Sequence, residues 1–363
     1  YPLFLNNRPI ENEVSAYPTE NLLELGVLPY IKGLYEWDEP AFNAVLISHA
    51  HLDHYGLLRY INPAIPVYLS RGTRKILELS VLFKLTPDIS ATLYEFNMYN
   101  PFNIGGFRIM PFLMDHSAFD AAAFEISGGG RTVIYTGDFR GHGRKSACLD
   151  RFIDKARKEA DVLLTEGTML GRLDEEVITE QGLEELLVEK MRSSEGPVLF
   201  QASAQNIDRL VSFYRASVRS DKIFVVDLYT ANVLYELRQL GNNRLPYPSM
   251  SFPNIKVFYP YRLTKKVFDD IGEEYARRFS PFHISKAGLR EERSKIVMAV
   301  RPSMKKDIEL AGLKNGLFIY SLWSGYREND YQRDFEKTLE KQGFTLDSLH
   351  TSGHASVADI RRV

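Results

Sequence analysis

The segment Val45–Leu58, VLISHAHLDHYGLL, constrains the fold of this chain more than any other. It joins two patterns of opposite character. Ala44–Ser48 is a short apolar run of the kind that makes a buried strand. Directly after it come His49, His51, Asp53 and His54, four side chains able to bind a metal ion, followed by Gly56-Leu57-Leu58, which opens a packed helix. A polar cluster leaving the C-terminal end of a buried strand sits where α/β folds place ligands. In such a loop His49 and His51 can converge on one ion, while Asp53 and His54, at the helix start, can reach a second.

The rest of the chain repeats the alternation. Strand-like runs at Phe107–Leu113, Ala122–Ile126, Thr132–Thr136, Val162–Thr165, Val198–Gln201, Lys222–Asp227, Ile255–Tyr259 and Gly316–Leu322 are interleaved with helix-like stretches. Among the latter are Thr73–Phe83, Glu180–Met191, Asn206–Ser217, Thr264–Arg278 and Asp330–Gln342. This is an α/β pattern, and 363 residues are enough for two domains. Metal-capable residues gather before Asp138 and return at His354, whereas residues 175–330 hold a single histidine, His283. We therefore expect a first domain built from residues 1–174 and 331–363, with a second domain, 175–330, inserted into it.

Composition narrows the chemistry. Hydrophobic residues make up 44% and charged residues 25%, values of an ordinary globular protein. No apolar run approaches the roughly 18 residues of a membrane helix, so no membrane partner is expected. The single cysteine, Cys148, cannot form an internal disulfide, which fits a reducing, cytoplasmic setting. It also excludes a cysteine-rich zinc module, so any metal must rest on His, Asp and Glu. The net charge of −2 carries no global nucleic-acid signal.

A site for two ions needs further ligands, and two stand at strand ends. His116, in FLMDHSAFDAAAFEI, follows the run that closes at Leu113. Asp138, in TVIYTGDFRGHGRK, follows another, with Gly137 beside it for close backbone approach. An aspartate can bridge two cations with its two oxygens, and Asp138 is the candidate bridge. Two ions roughly 3.5–4 Å apart can hold a hydroxide and clamp a phosphate for in-line displacement. All-N/O ligation fits zinc and tolerates manganese.

HAHLDH matches the HxHxDH motif of the metallo-β-lactamase fold, and the chain resembles one branch of it, the β-CASP nucleases, which include RNase J and the nuclease of mRNA 3′-end processing. TGDFR at Thr136–Arg140 is typical of that group. LLTEGTML at Leu163–Leu170 resembles its motif A, with Glu166 as the acid, and HTSGHAS at His350–Ser356 resembles its motif B, with His354 as the histidine. FQASAQNIDRL, Phe200–Leu210, resembles the opening of the β-CASP domain itself, and SLWSGYRE, Ser321–Glu328, is loosely similar to a phosphate-holding loop.

The resemblance implies an αββα metallo-β-lactamase sandwich with an inserted α/β β-CASP domain. It places His49, His51 and His116 on one zinc, Asp53 and His54 on the second, and Asp138 between them. Asp53, Glu166 and His354 form the implied catalytic set, with Glu166 orienting a ligand and His354 acting as a general acid or phosphate contact. The implied activity is a ribonuclease acting on single-stranded RNA, with DNA as the alternative substrate and a homo-oligomer left open. Outside that class stand a hydrolase of small esters or thioesters and a non-catalytic scaffold. The family's opening strands and its final ligand histidine are expected beyond the two ends of this sequence. His142 is expected in a surface loop, His283 and His350 in packing roles, and Arg140 and Lys145 as solvated charges.

Overall fold

A computed structural model describes residues 4–5, 8–9, 19–24, 26–171, 177–241 and 244–363. Its first part is a sandwich of two sheets. Val45–Leu46, Val67–Ser70 and Leu93–Phe96 form a three-stranded parallel sheet in that order. Phe102–Ile104, Phe107–Leu113, Ala122–Gly128 and Arg131–Tyr135 form an antiparallel meander, and Val162–Leu164 adds in parallel to its last strand. Gly129 and Gly130 turn the third strand into the fourth with φ of 58° and 76°, the left-handed geometry that a two-residue hairpin requires.

The two sheets face each other through Leu46, Tyr68 and Phe96 on one side and Phe102, Ile109 and Phe124 on the other. The ring of Phe96 meets Phe124 edge-on at 5.4 Å. One outer face is covered by helix Arg71–Leu82, whose Ile76, Leu77 and Leu79 are buried. The other is covered by helix Ala147–Lys155, whose Leu149 and Phe152 pack on Phe112 and Ile134. Helix, sheet, sheet, helix is the expected αββα order.

The second part is a single parallel sheet of six strands. Their order is Ile255–Phe258, Ile223–Asp227, Ile296–Ala299, Val198–Gln201, Leu317–Tyr320 and Thr345–Ser348. Parallel strands covered by helices on both faces read as unbroken apolar runs, and Val198, Leu199 and Phe200 are all fully buried. Among the described residues no helix is long and apolar enough to cross a membrane.

Several local expectations are revised. The run Ala44–Ser48 is a strand only over Val45–Leu46. At Ser48 the chain leaves the first sheet, and its carbonyl accepts a hydrogen bond from the Ala122 amide of the facing one at 2.9 Å. The helix expected over Thr264–Arg278 is two, Tyr261–Asp270 and Glu273–Arg277, parted by Gly272 at φ 130°. The domain boundary expected between 174 and 175 lies outside the described residues. Residues 331–348, expected with the first domain, go with the six-stranded sheet: helix Asp330–Lys341 buries Phe335 and Leu339 against it and Thr345–Ser348 completes it.

Candidate metal centre

The site lies where strand ends of the sandwich meet the loop that follows the six-stranded sheet. Because Ser48 is tied to Ala122, the residues after it are held between the two sheets of the sandwich. His49 is fully buried there. Asp53 and His54 sit on the single helical turn Leu52–Tyr55. Gly137, at φ 57°, lets the Asp138 loop fold against the histidine loop. A Cβ at Gly137 would lie 2.9 Å from the Ser48 Cβ and 3.0 Å from the Ala122 carbonyl oxygen, so a larger residue would part the two loops. His116 follows Phe107–Leu113, Glu166 follows Val162–Leu164, and His354 lies in the loop after Thr345–Ser348.

All eight residues singled out from the sequence converge. His49, His51, His116 and Asp138 bring one ligand atom each within 4.8 Å of one another. Asp53, His54 and Asp138 do the same, and so do Asp138, Glu166 and His354. Asp138 belongs to all three groups. Its Oδ2 lies 3.2 Å from His54 Nε2, 3.6 Å from His354 Nδ1 and 3.7 Å from His49 Nε2.

The protonation pattern follows from burial. Burial pushes His49 and His116 well below the ordinary imidazole value and His51 down to about 4. All three are neutral at physiological pH, the form that donates a lone pair to a metal. Burial works against ionised Asp138 as well, but the hydrogen bond from His54 and the neighbouring imidazoles overcome it and bring its carboxyl down to about 2.

Two contacts show what the cluster is suited to hold. The nitrogen His49 Nε2 is buried without a hydrogen-bond partner, a costly state for a polar atom. His116 donates from Nδ1 to the Gly353 carbonyl at 2.6 Å, which leaves its Nε2 as a lone pair facing His51 Nδ1 at 3.1 Å. Two nitrogens about 2.0 Å from one tetrahedral ion lie about 3.3 Å apart, so the observed spacing fits shared coordination. The donor set of imidazole and carboxylate suits zinc or manganese.

Glu166 and His354 are linked. Glu166 accepts from His354 Nδ1 at 3.1 Å, from the Phe139 amide at 2.8 Å and from the Ala355 amide at 3.3 Å. It thereby ties the residue after Asp138 to the loop carrying His354. Beside it a cavity of about 430 Å³ is lined by Tyr135, Gly137, Asp138, Leu163, Leu164, Thr165 and Glu166.

Three expectations fail. Lys145 is not simply solvated, since its Nζ bonds both oxygens of the Asp208 carboxylate at 3.0 and 2.9 Å. Arg140 is fully buried, not solvated, and bonds Asp208, Glu180 and the Ser352 carbonyl. His142 is also buried and donates from Nε2 to the Ser352 carbonyl at 2.8 Å. Arg209 and Glu180 belong to the same cluster and were not singled out. A signal for them exists: Arg209 falls on the helix stripe of Phe213 and Ala216, and Glu180 on that of Leu187 and Met191. A charge on an apolar stripe marks a buried ion pair.

Comparison with known proteins agrees with this geometry. Residues 29–187 match the Beta-lactamase superfamily domain. Ribonuclease J of Sinorhizobium meliloti is 34% identical over 117 residues, 31% of this chain and 20% of that protein. An RNase J-like protein of Methanocaldococcus jannaschii is 28% identical over 236 residues, 60% of this chain and 54% of that one. Ribonuclease J of Helicobacter pylori is 26% identical over 261 residues, 68% of this chain and 36% of that one. The chain thus spans at most about half the length of these relatives. The fold is shared with a protein of unknown function from Enterococcus faecalis V583, at a TM-score of 0.73 and 21% identity over 94% of this chain and 80% of that one.

Proposed function

We propose that this chain, whose residues 29–187 match the Beta-lactamase superfamily domain, is a metal-dependent ribonuclease acting on single-stranded RNA. The observation that carries the proposal is Asp138, shared between a four-residue and a three-residue ligand group, with the unpartnered His49 Nε2 beside it. His49, His51, His116 and Asp138 would hold one cation, and Asp53, His54 and Asp138 the other, zinc first and manganese as the alternative. When bound, such a pair polarises a phosphoryl oxygen and lowers the pKa of water.

The chain's own residues supply the rest. Asp138, ionised down to about pH 2, is available to both cations throughout the physiological range. Asp53 stands half exposed, its Oδ2 3.7 Å from His54 Nε2. Glu166 holds His354 through Nδ1 and leaves Nε2 as the atom that passes a proton to the leaving oxygen as water adds to phosphorus and the P–O bond breaks. The six-stranded domain, which we assign to the β-CASP type, presents its strand C-termini toward this centre, since the loop leaving Thr345–Ser348 carries His354 and Asn206 bridges Ala118 next to the His116 loop. In this reading a long polymer would run across this centre. The named RNase J relatives support RNA as its chemistry.

The test uses the purified chain with zinc or manganese on single-stranded RNA, single-stranded DNA and a small lactone or thioester, with His49→Ala alongside. Metal-dependent RNA cleavage that His49→Ala loses is expected. Equal cleavage by the two proteins defeats the reading, and turnover of the small ester without RNA cleavage replaces it with the alternative that the 430 Å³ cavity could serve.

A further inference from the structure

The loop that carries His354 is gripped by its backbone. Three successive carbonyls each accept a hydrogen bond from a side chain of a different segment. Arg209 Nη2 bonds Thr351 O at 3.2 Å. Arg140 Nη1 and His142 Nε2 bond Ser352 O at 3.1 and 2.8 Å. His116 Nδ1 bonds Gly353 O at 2.6 Å. The next two residues, His354 and Ala355, are the ones Glu166 holds.

The arginines that grip the loop are themselves locked. Both are fully buried and share the Glu180 carboxylate: Arg209 reaches Oε1 at 3.0 Å from Nη2, and Arg140 reaches it at 3.4 Å from Nη1. Ser212 satisfies Oε2 at 2.7 Å. Arg140 also bonds Asp208 at 2.8 Å, and Lys145 bonds the same carboxylate at 2.9 Å. Arg209 extends to Ser321 O and Oγ at 3.1 and 2.6 Å, at the end of the strand Leu317–Tyr320. Three cations, Arg140, Lys145 and Arg209, face three carboxylates, Asp115, Glu180 and Asp208. The sandwich supplies Arg140, Lys145 and Asp115. Helices Glu180–Ser193 and Ile207–Arg219, beside the six-stranded sheet, supply Glu180, Asp208 and Arg209.

Arg140 stands two residues from Asp138, and Asp115 one residue from His116. Whatever fixes this cluster also fixes two candidate ligands and the His354 loop. We propose that Arg209 is a positioning residue: from the second domain it sets the Thr351–His354 loop, and through Gly353 and His354 it aligns the His116 ligand and the proton donor of the centre. Docking of the two domains and assembly of the site are then one event. The inference rests on the ribonuclease reading for its consequence in catalysis but not for its structural content. A fixed fork of five donors is what lets one side chain serve Glu180, Ser321 and Thr351 together, and lysine cannot reproduce it.

The experiment compares the full chain with Arg209→Lys, which keeps the charge beside Glu180, and Arg209→Met, which does not. Amide hydrogen exchange is followed by mass spectrometry, with and without added zinc, alongside kcat and KM on single-stranded RNA. In Arg209→Lys we expect exchange about tenfold faster or more in peptides covering 349–357, with the strands Val198–Gln201 and Leu317–Tyr320 unchanged, as for local opening of one segment. Cleavage should fall about tenfold or more in kcat with KM little changed, as when alignment and not ground-state binding is lost. Unchanged exchange at 349–357, or an equal rise across all peptides, overturns the proposal. If Arg209→Met does not fold, Arg209→Lys decides. If neither folds, the cluster serves folding alone and the proposal is wrong. Exchange needs no RNA, so a wild type that cleaves nothing sinks the ribonuclease reading and leaves the positioning claim to stand or fall on the exchange result.

Discussion

Two polar clusters lie side by side in this protein, and they differ in how their hydrogen-bonding groups are met. In the arginine–carboxylate cluster nearly every donor has its acceptor: Glu180 takes Arg140, Arg209 and Ser212, and Asp208 takes Arg140 and Lys145. Its mismatches among the described residues are the Asp115 Oδ1 and Arg140 Nε pair, 3.5 Å apart, and His142 Nδ1 at its margin. In the histidine–aspartate cluster His49 Nε2 has no partner, and the ring nitrogens of His51 and His116 face each other. Buried polar groups are normally satisfied, so the complete cluster holds the fold and the incomplete one is shaped for something added from outside. That difference can be attacked from either side.

The largest effect on stability is expected in the complete cluster. Glu180→Gln leaves Arg140 and Arg209 facing each other without their shared anion, and removal of one member of a buried pair costs about 3–5 kcal/mol. Chemical denaturation at neutral pH measures it. The same variant has a pH signature. Burial disfavours ionised Glu180, but Arg209 and Arg140 outweigh it and draw its carboxyl from 4.5 to about 2. A carboxyl depressed in the folded state contributes stability that is present above the ordinary value and lost as pH falls through the folded one. Wild type should therefore lose stability between about pH 4.5 and 2, and Glu180→Gln should show a flatter acid limb. Asp208, also depressed, reinforces this loss, while Asp115, raised by burial, works in the opposite sense. A neutral Glu180→Gln variant would erase the contrast between the clusters.

A smaller effect is expected in the incomplete cluster, and it depends on metal. Zinc at 100-fold above its dissociation constant should stabilise wild type by about 2.7 kcal/mol through binding to the folded state alone. Thermal unfolding with and without a chelator reads this directly. Asp53, with its side chain 52% exposed, separates the two kinds of role. Asp53→Ala should leave metal-free stability within about 0.5 kcal/mol, as for other surface changes, while losing part of the zinc gain. A metal-free loss comparable to that of Glu180→Gln would mean that Asp53 is structural.

The incomplete cluster was legible in the sequence and the complete one was not, for a physical reason. Metal ligands in α/β folds come from short loops at strand ends, and the candidates follow that pattern: His49, His51, Asp53 and His54 stand together in the chain, and His116 and Asp138 each follow a visible strand. The partners of the arginine cluster are scattered: Arg140 and Ser352 are 212 positions apart. Nothing local marks such a pair except a charge on an apolar helix stripe, as at Arg209. Two of the edge strands were hidden for a related reason. Leu93–Phe96 and Thr345–Ser348 lie at sheet edges, largely exposed, and so lack the apolar run that betrays a central strand. The break at Gly272 was missed because the apolar period continues across it.

Glu166 lies between the two clusters, and an effect on activity decides to which it belongs. Its three contacts are those of an orienting group: one oxygen takes the Phe139 and Ala355 amides, the other takes His354 Nδ1. Glutamine keeps an acceptor for the amides but sets an N–H against His354, so the ring must turn or lose its anchor. Glu166→Gln should then lower RNA cleavage about 10–100-fold, the range for groups that orient a metal ligand from behind, while the zinc-dependent gain in melting temperature is retained. Glu166 also stands within 4.8 Å of Asp138 and His354 in a third group able to hold a cation. If Glu166→Gln loses zinc as well as activity, it binds the metal directly, and the line between the filled cluster and the waiting one runs behind Glu166 rather than in front of it.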